Sequence, residues 1–130
     1  MRFLQDQFLV GTTGVFFNDK NEVLLLKHTY REISWSLPGG YLKAGEHPEE
    51  GLEREIKEES GLVVSADRQF KTQTDRDSAR LDISFVGKFI GGEFKRSKEV
   101  SDFGFFSFDN LPIIMPKQLY LIQQILEHKP

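Results

Sequence analysis

"GGYLKAGEHPEEGLEREIKEESGL" occupies residues 39–62, and seven of its residues are glutamates. Glycines stand at both ends and Pro48 stands inside. Pro48 suits a first helical position, where its missing N–H costs nothing. Gly61 suits the position just past a helix end, where a left-handed residue is wanted. The pattern therefore predicts a helix over about 48–60, with His47 as a chemically poor N-cap. At ~100° per residue, Leu52 and Ile56 share one buried stripe. Glu59, Glu55 and Glu58 follow along one edge of that stripe. Glu50, Glu53, Lys57 and Ser60 fall on the remaining side, which this reading leaves to solvent. Gly51 falls among the carboxylates and costs roughly 1 kcal/mol against alanine, so a bulky neighbour is expected where its side chain would be.

Carboxylates spaced by three and four residues repel one another on a helix. Those nearest the buried edge also carry a desolvation cost. A hard divalent cation relieves both. Mg²⁺ takes oxygen ligands and commonly binds carboxylates together with substrate phosphates, and Mn²⁺ accepts a similar set. Such an ion polarises a phosphoryl oxygen and activates water. Charge alone would equally describe a solvated helix face paired with arginine, so the segment needs its neighbours to be decided.

Working outward, "FLVGTTGVFF" (8–17) and "EVLLLKH" (22–28) read as strands of a hairpin across the turn "NDKN". Residues 28–34 read as a loop, and "WSLPGGYL" (35–42) as short extended pieces around a Pro-Gly-Gly break. Strands are expected again at 62–71, 80–89 and 100–108, with a polar loop at 72–79 and a glycine-containing turn or loop at 90–99. In 80–89, Leu81, Ile83, Phe85 and Phe89 alternate with Arg80, Asp82, Ser84 and Lys88. From Pro116 to His128, Leu119, Ile122, Ile125 and Leu126 mark a second amphipathic helix. Mixed strands and helices predict an α/β fold, with helices packed on a mixed sheet.

The 130 residues suit one domain spanning 1–130 with one real core. A formal net charge of −3 gives no general pull toward nucleic acid or anionic membrane. Without cysteine, disulfides and thiolate metal sites are excluded. No apolar run reaches the length of a signal peptide or a membrane span. A cytoplasmic protein without membrane partners is the expectation, and nucleic acid is not an expected partner. A homodimer stays open, although a stripe such as Leu119–Leu126 more often packs into a core.

The segment resembles the Nudix hydrolase signature: G, five residues, E, seven residues, then R-E-apolar-x-E-E-x-G-apolar. Gly40, Glu46, Arg54, Glu55, Ile56, Glu58, Glu59, Gly61 and Leu62 meet it without a gap. Seven fixed identities at about 1 in 15 each give a chance match on the order of 10⁻⁸ per start position, which sets the plain solvated face aside. The resemblance implies an α/β/α sandwich and Mg²⁺-dependent hydrolysis of a pyrophosphate linkage, with Mn²⁺ as a substitute. It implies that Glu55, Glu58 and Glu59 bind metal, joined by the backbone carbonyl of Gly39. Arg54 and Glu46 would support them, Arg54 by orienting a glutamate. The general base varies in this family, and both Glu55 and the loop residue Glu99 are candidates. Glu99 would serve as a further ligand or the base, against the plain alternative of a solvated glutamate, and Glu93 is a weaker competitor. Binding-only relatives usually lose glutamates of the signature, and none is missing here.

The substrate is less legible. Two positions that often separate family members hold Ser78 and Arg80, in place of the proline of ADP-ribose hydrolases and the tyrosine of dinucleoside polyphosphate hydrolases. Arg31, Arg76 and Arg80 are candidates to meet phosphate. Trp35, with Tyr30 and Phe16 behind it, is a candidate to stack on a base, although core packing is the commoner fate of such rings. His28 could contact substrate or be a satisfied structural histidine. A small nucleotide is the expected partner: an ADP-ribose-like nucleotide sugar or a nucleoside triphosphate, with a nucleotide sensor that turns nothing over as the rival.

Overall fold

The apolar residues at 15–17 and 23–26 leave no polar face, so the strands that carry them need cover on both sides. The computed structural model describes residues 8–75 and 77–128 and provides that cover. In chain order the elements are β1 (Leu9–Phe17), β2 (Val23–His28), β3 (Trp35–Ser36), β4 (Gly39–Tyr41), α1 (Pro48–Ser60), β5 (Leu62–Asp75), β6 (Arg80–Gly92), β7 (Val100–Phe106) and α2 (Pro116–Glu127), with a 3₁₀ turn at Phe108–Asn110. The strands form one mixed sheet of order β3-β2-β1-β6-β5, with β4 also on β1 and β7 also on β2. Phe16, Leu24, Leu26, Phe85 and Val100 pack with Leu52 and Ile56 of α1 on one face. Val15, Phe17, Val23, Leu25 and Leu37 pack with Ile122 and Ile125 of α2 on the other. Neighbouring residues of β1 and β2 thus go to opposite layers, giving the expected α/β/α sandwich.

The 8–17/22–28 hairpin needs a correction in its pairing. Asn18 Oδ1 accepts from the backbone N–H of Lys20 and of Glu22, and Asn21 takes a left-handed φ of 60°. The turn is therefore present, but β1 and β2 meet only at Phe17↔Val23. Beyond it, β1 runs parallel to β6 from Leu9↔Arg80 to Phe17↔Lys88. The edge of β1 that β2 leaves open is taken by β4, antiparallel, with Thr12↔Gly40 and Thr13↔Gly39. β2 takes β3 on that same side, with Leu26↔Ser36. The segment 35–41 thus enters like a wedge between two strands that start together. This crossing sets up the site, because α1 follows it at once.

Two loop expectations also change. Thr72–Asp75 belongs to β5, paired with Ile83–Arg80. Its polarity misled because Thr72, Gln73 and Thr74 are exposed along this part of the strand. Likewise, Gly91 and Gly92 continue β6 because Val63 and Leu62 pair with them.

Both helices lie where their sequences place them. α1 ends at Gly61, whose φ of 78° is left-handed and whose N–H bonds the Lys57 carbonyl. His47 makes no side-chain cap. Ser60 is fully buried and not solvated: its hydroxyl donates to the Ile56 carbonyl at 2.6 Å and accepts from the Leu62 N–H at 3.2 Å. Glu53 is also not free in solvent, since it accepts from the Ala66 N–H of β5 at 2.8 Å. In α2, Ile122 and Ile125 are buried while Leu119 stays 40% exposed, so the stripe is narrower than its pattern suggested.

Candidate active site

Gly39 and Gly40 carry the chain across the split between β2 and β1, and each glycine has a steric reason. A side chain on Gly39 would run into the carbonyl oxygen of Thr12. One on Gly40 would stand 2.7 Å from Cγ of Glu55. Strand β4 thus lies directly against the first of the clustered glutamates. Gly51 answers the question raised by the sequence: the bulk beside it is Leu42 and the carboxylate of Glu46.

Arg54 organises the polar side of α1. Its Nε donates to Glu46 Oε2, its Nη2 to Glu46 Oε1 at 3.0 Å, and its Nη1 to Glu55 Oε1 at 3.1 Å and Glu58 Oε2 at 2.9 Å. One planar fork thus holds three carboxylates, as guanidinium geometry permits and ammonium geometry does not. Glu46 Oε1 also accepts from the Lys43 N–H at 2.8 Å. Hydrogen bonding to Arg54, then to that N–H, holds the Glu46 carboxyl down at about 2. Glu46, chiefly, and then Glu55 hold Arg54 charged well above the ordinary guanidinium range.

Glu59 lies on the other side of this network. Burial pushes its carboxyl up to about 8, helped by hydrogen bonding to and charge on Glu55, and by the charge and hydrogen bonding of Glu99. The loop before β7 thus delivers Glu99 to the helix, and the Thr29 N–H fixes that loop by donating to the Glu99 carbonyl at 3.0 Å. Glu93 is exposed. Its carbonyl packs against Gly61. Among the described residues no three acidic or histidine side chains converge as metal ligands, because Glu55 and Glu58 are turned toward Arg54. The donor set is nevertheless oxygen-only, crowded and partly desolvated, which fits a hard divalent cation.

The substrate candidates scatter. Arg80 pairs with Asp82 at 3.0 Å, and that charge, with Tyr41 adding a hydrogen bond, holds it charged above the ordinary range. Tyr41 follows Gly40 directly, and Tyr41, Arg80, Phe8 and Leu9 line a hollow of about 530 Å³. A side chain on Gly11 would stand 2.6 Å from Asp82 Oδ1, so the bare backbone there admits this cluster. No periodicity in the sequence announces Tyr41, since only the β1–β4 pairing carries it to Arg80. Trp35 is half-buried and packs edge-on against Phe106 at 5.2 Å, with Lys27 above it. Phe16 is buried in the core. Arg31 is exposed and stacks over Tyr30, whose ring meets His28 edge-on. Arg76 lies outside the described residues.

A two-faced sandwich with a carboxylate helix beside a glycine crossing defines a class of protein, and comparison with known families agrees. The NUDIX domain model matches residues 8–125, and the chain belongs to that family. Among curated relatives it is 36% identical to an ADP-ribose pyrophosphatase of Methanocaldococcus jannaschii, over 79% of this chain and 64% of that protein. It is 30% identical to an NAD-capped RNA hydrolase of Vibrio cholerae, over 75% of this chain and 37% of that protein. The chain therefore spans less than two thirds of either relative. A solved structure of an ADP-ribose pyrophosphatase from Streptococcus suis superposes with a TM-score of 0.76 at 26% identity, covering 95% of this chain and 96% of that one.

Proposed function

We propose that this chain is a Mg²⁺-dependent pyrophosphohydrolase that cleaves a small nucleoside-diphosphate-linked substrate, an ADP-ribose-like nucleotide sugar or a nucleoside triphosphate. The observation that carries this reading is Glu55 packed against the Gly40 backbone of the crossing, with Glu46, Glu55 and Glu58 all held by Arg54. Glu55, Glu58, Glu59 and Glu99, with the Gly39 carbonyl, would hold Mg²⁺ or Mn²⁺. The bound ion would offset charge on the phosphoryl oxygens and lower the pKa of a water.

The chain's own residues supply the rest. Arg54 is a positioning residue: bound to Glu46, it keeps Glu55 and Glu58 from dispersing into solvent. Glu55 or Glu99 takes the proton of the attacking water. The water oxygen bonds to one phosphorus, the bond from that phosphorus to the bridging oxygen breaks, and the second phosphate leaves with that oxygen. Arg80, with Tyr41 beside it, is placed to meet a phosphate or a base at the rim of the hollow. Arg31, Arg76 and Trp35 remain weaker candidates for substrate contact. Among the described residues no helix is long and apolar enough to cross a membrane.

The test is a hydrolysis panel with Mg²⁺, with products identified by mass. It includes ADP-ribose, other nucleoside diphosphate sugars, dinucleoside polyphosphates, normal and oxidised nucleoside triphosphates, and RNA bearing triphosphate or nucleotide-capped ends. Turnover of one class, lost in Glu59→Gln, is the expected result. Nucleotide binding without metal-dependent product in every class would instead identify a sensor.

A further inference from the structure

Strand β4 turns its residues to both faces of the sheet. Gly40 meets Glu55 on the α1 side, so alternation sends its neighbour Tyr41 to the α2 side. Gly11 pairs with both Tyr41 and Asp82, and it shares the α2 side with Val15 and Phe17 of its own strand. Three side chains converge over this glycine. A Cβ placed there would stand 2.6 Å from Asp82 Oδ1, 3.8 Å from Tyr41 Cε1 and 3.9 Å from Arg80 Cδ. Beside them opens the hollow of about 530 Å³, lined by Phe8, Leu9, Tyr41, Ser78, Ala79 and Arg80. Phe8, Leu9 and Tyr41 are 54%, 60% and 49% exposed along its wall. Large apolar side chains left open together around a concavity mark a surface for a ligand.

Charge and position select what fits there. Arg80 Nε lies 3.0 and 3.1 Å from the two carboxylate oxygens of Asp82, so the guanidinium presents its charge already offset. A phosphate would have to compete with that carboxylate. A planar ring instead stacks on the guanidinium face and on tyrosine without disturbing the pair. Backbone groups of the wall are spent as well: the Leu9 N–H donates to the Ala79 carbonyl at 2.9 Å, and the Arg80 N–H donates to the Ser78 carbonyl. Position gives the same answer. Glu55 lies across the sheet from the hollow, and Tyr41 is the last residue of β4. A ligand whose pyrophosphate meets the glutamates therefore reaches the hollow only with its far end, passing around the end of β4.

We infer that this hollow holds the nucleobase of the substrate, stacked on Tyr41 and Arg80, and takes bases by their flat faces without reading their hydrogen-bonding edges. Every base has such a face, so stacking tolerates any of them. Asp82 is then a positioning residue that offsets the Arg80 charge and turns phosphate away. This rests on the reading of the chain as a hydrolase of small nucleotides, and it adds that different bases on one kind of diphosphate are handled alike.

The experiment is saturation-transfer NMR with titration of the metal-free protein by AMP, GMP, CMP, UMP and ribose 5-phosphate, for the wild type, Tyr41→Phe, Tyr41→Ala and Asp82→Asn. Base protons are expected to receive more saturation than ribose protons. The four nucleotides should bind within about 10-fold of one another, and ribose 5-phosphate at least about 10-fold more weakly than AMP. Tyr41→Phe keeps the affinity for AMP, and Tyr41→Ala lowers it about 10-fold. Asp82→Asn removes the offset on Arg80 and narrows the gap between AMP and ribose 5-phosphate. Ribose 5-phosphate binding as tightly as AMP, a wider spread among the bases, wild-type affinity in Tyr41→Ala, or an unchanged gap in Asp82→Asn overturns the inference. So does a wild type that binds none of these probes yet hydrolyses a nucleotide in the panel above. If it neither binds nor hydrolyses any nucleotide, the reading as a nucleotide hydrolase fails and this inference with it.

Discussion

At the scale of single residues, Glu59 and Arg54 carry the sharpest consequences. The Glu59 carboxyl titrates at about 8 in the metal-free fold, against an ordinary value of 4.5. The folded form therefore holds a proton that the unfolded chain releases. That contribution to stability is fully present below about pH 4.5 and is lost as pH rises through about 8. Urea titrations of metal-free protein at pH 5, 7 and 9 are expected to show falling stability, and Glu59→Gln to flatten that fall. A slope unchanged in the variant would remove Glu59 from the crowded cluster. Arg54→Lys tests the fork: an ammonium cannot serve Glu46, Glu55 and Glu58 together. We expect metal affinity and turnover to fall about 10–100-fold with little change in melting temperature. Steady-state kinetics beside a thermal melt would read both.

Elements place those residues, and α1 depends on its stop and its buried stripe. Gly61 has a φ of 78°, and a side chain there would meet the Glu93 carbonyl. Gly61→Ala is therefore expected to destabilise by at least about 1 kcal/mol, from left-handed strain alone. The backbone contact adds to this, because a carbonyl cannot swing aside as a side chain can. Leu52 is fully buried between α1 and the sheet. Leu52→Ala should cost about 2–5 kcal/mol, from lost transfer energy and the cavity left behind. Denaturant midpoints with unchanged m-values would report both losses. An m-value that shifts would mean the variant no longer unfolds in one step.

Across the whole molecule, the site joins three parts of the chain: the 39–40 crossing, helix α1 and the loop ending at Glu99. A ligand that binds only where these meet stabilises the folded chain as a unit. Mg²⁺ at about 100 times its dissociation constant should add about 2.7 kcal/mol, seen as a rise in melting temperature. Glu59→Gln should lose most of that rise. An equal rise in wild type and variant would place the ion elsewhere. The same assembly explains why carboxylates that repel one another are tolerated: Arg54 offsets two of them, and Glu59 shares its proton with the others.

The sequence alone determined α1, its two ends and its carboxylate edge, because helix periodicity and terminal chemistry act within a few residues. It also determined most of the strands and a mixed α/β class, through alternation and continuous apolar runs, while the sandwich was implied by the resemblance of residues 40–62 to the Nudix signature. Strand partners were beyond it. The turn at 18–22 promised a full hairpin, yet 35–41 parts β1 from β2, since backbone hydrogen bonds do not record which strand will supply them. The burial of Ser60 and the bond from Ala66 to Glu53 were likewise hidden, because both depend on β5 folding back along α1. Only tertiary structure brought Glu99 to Glu59 and Tyr41 to Arg80. Those contacts join residues far apart in the chain, and their energies come from shared burial, to which no local pattern in the sequence corresponds.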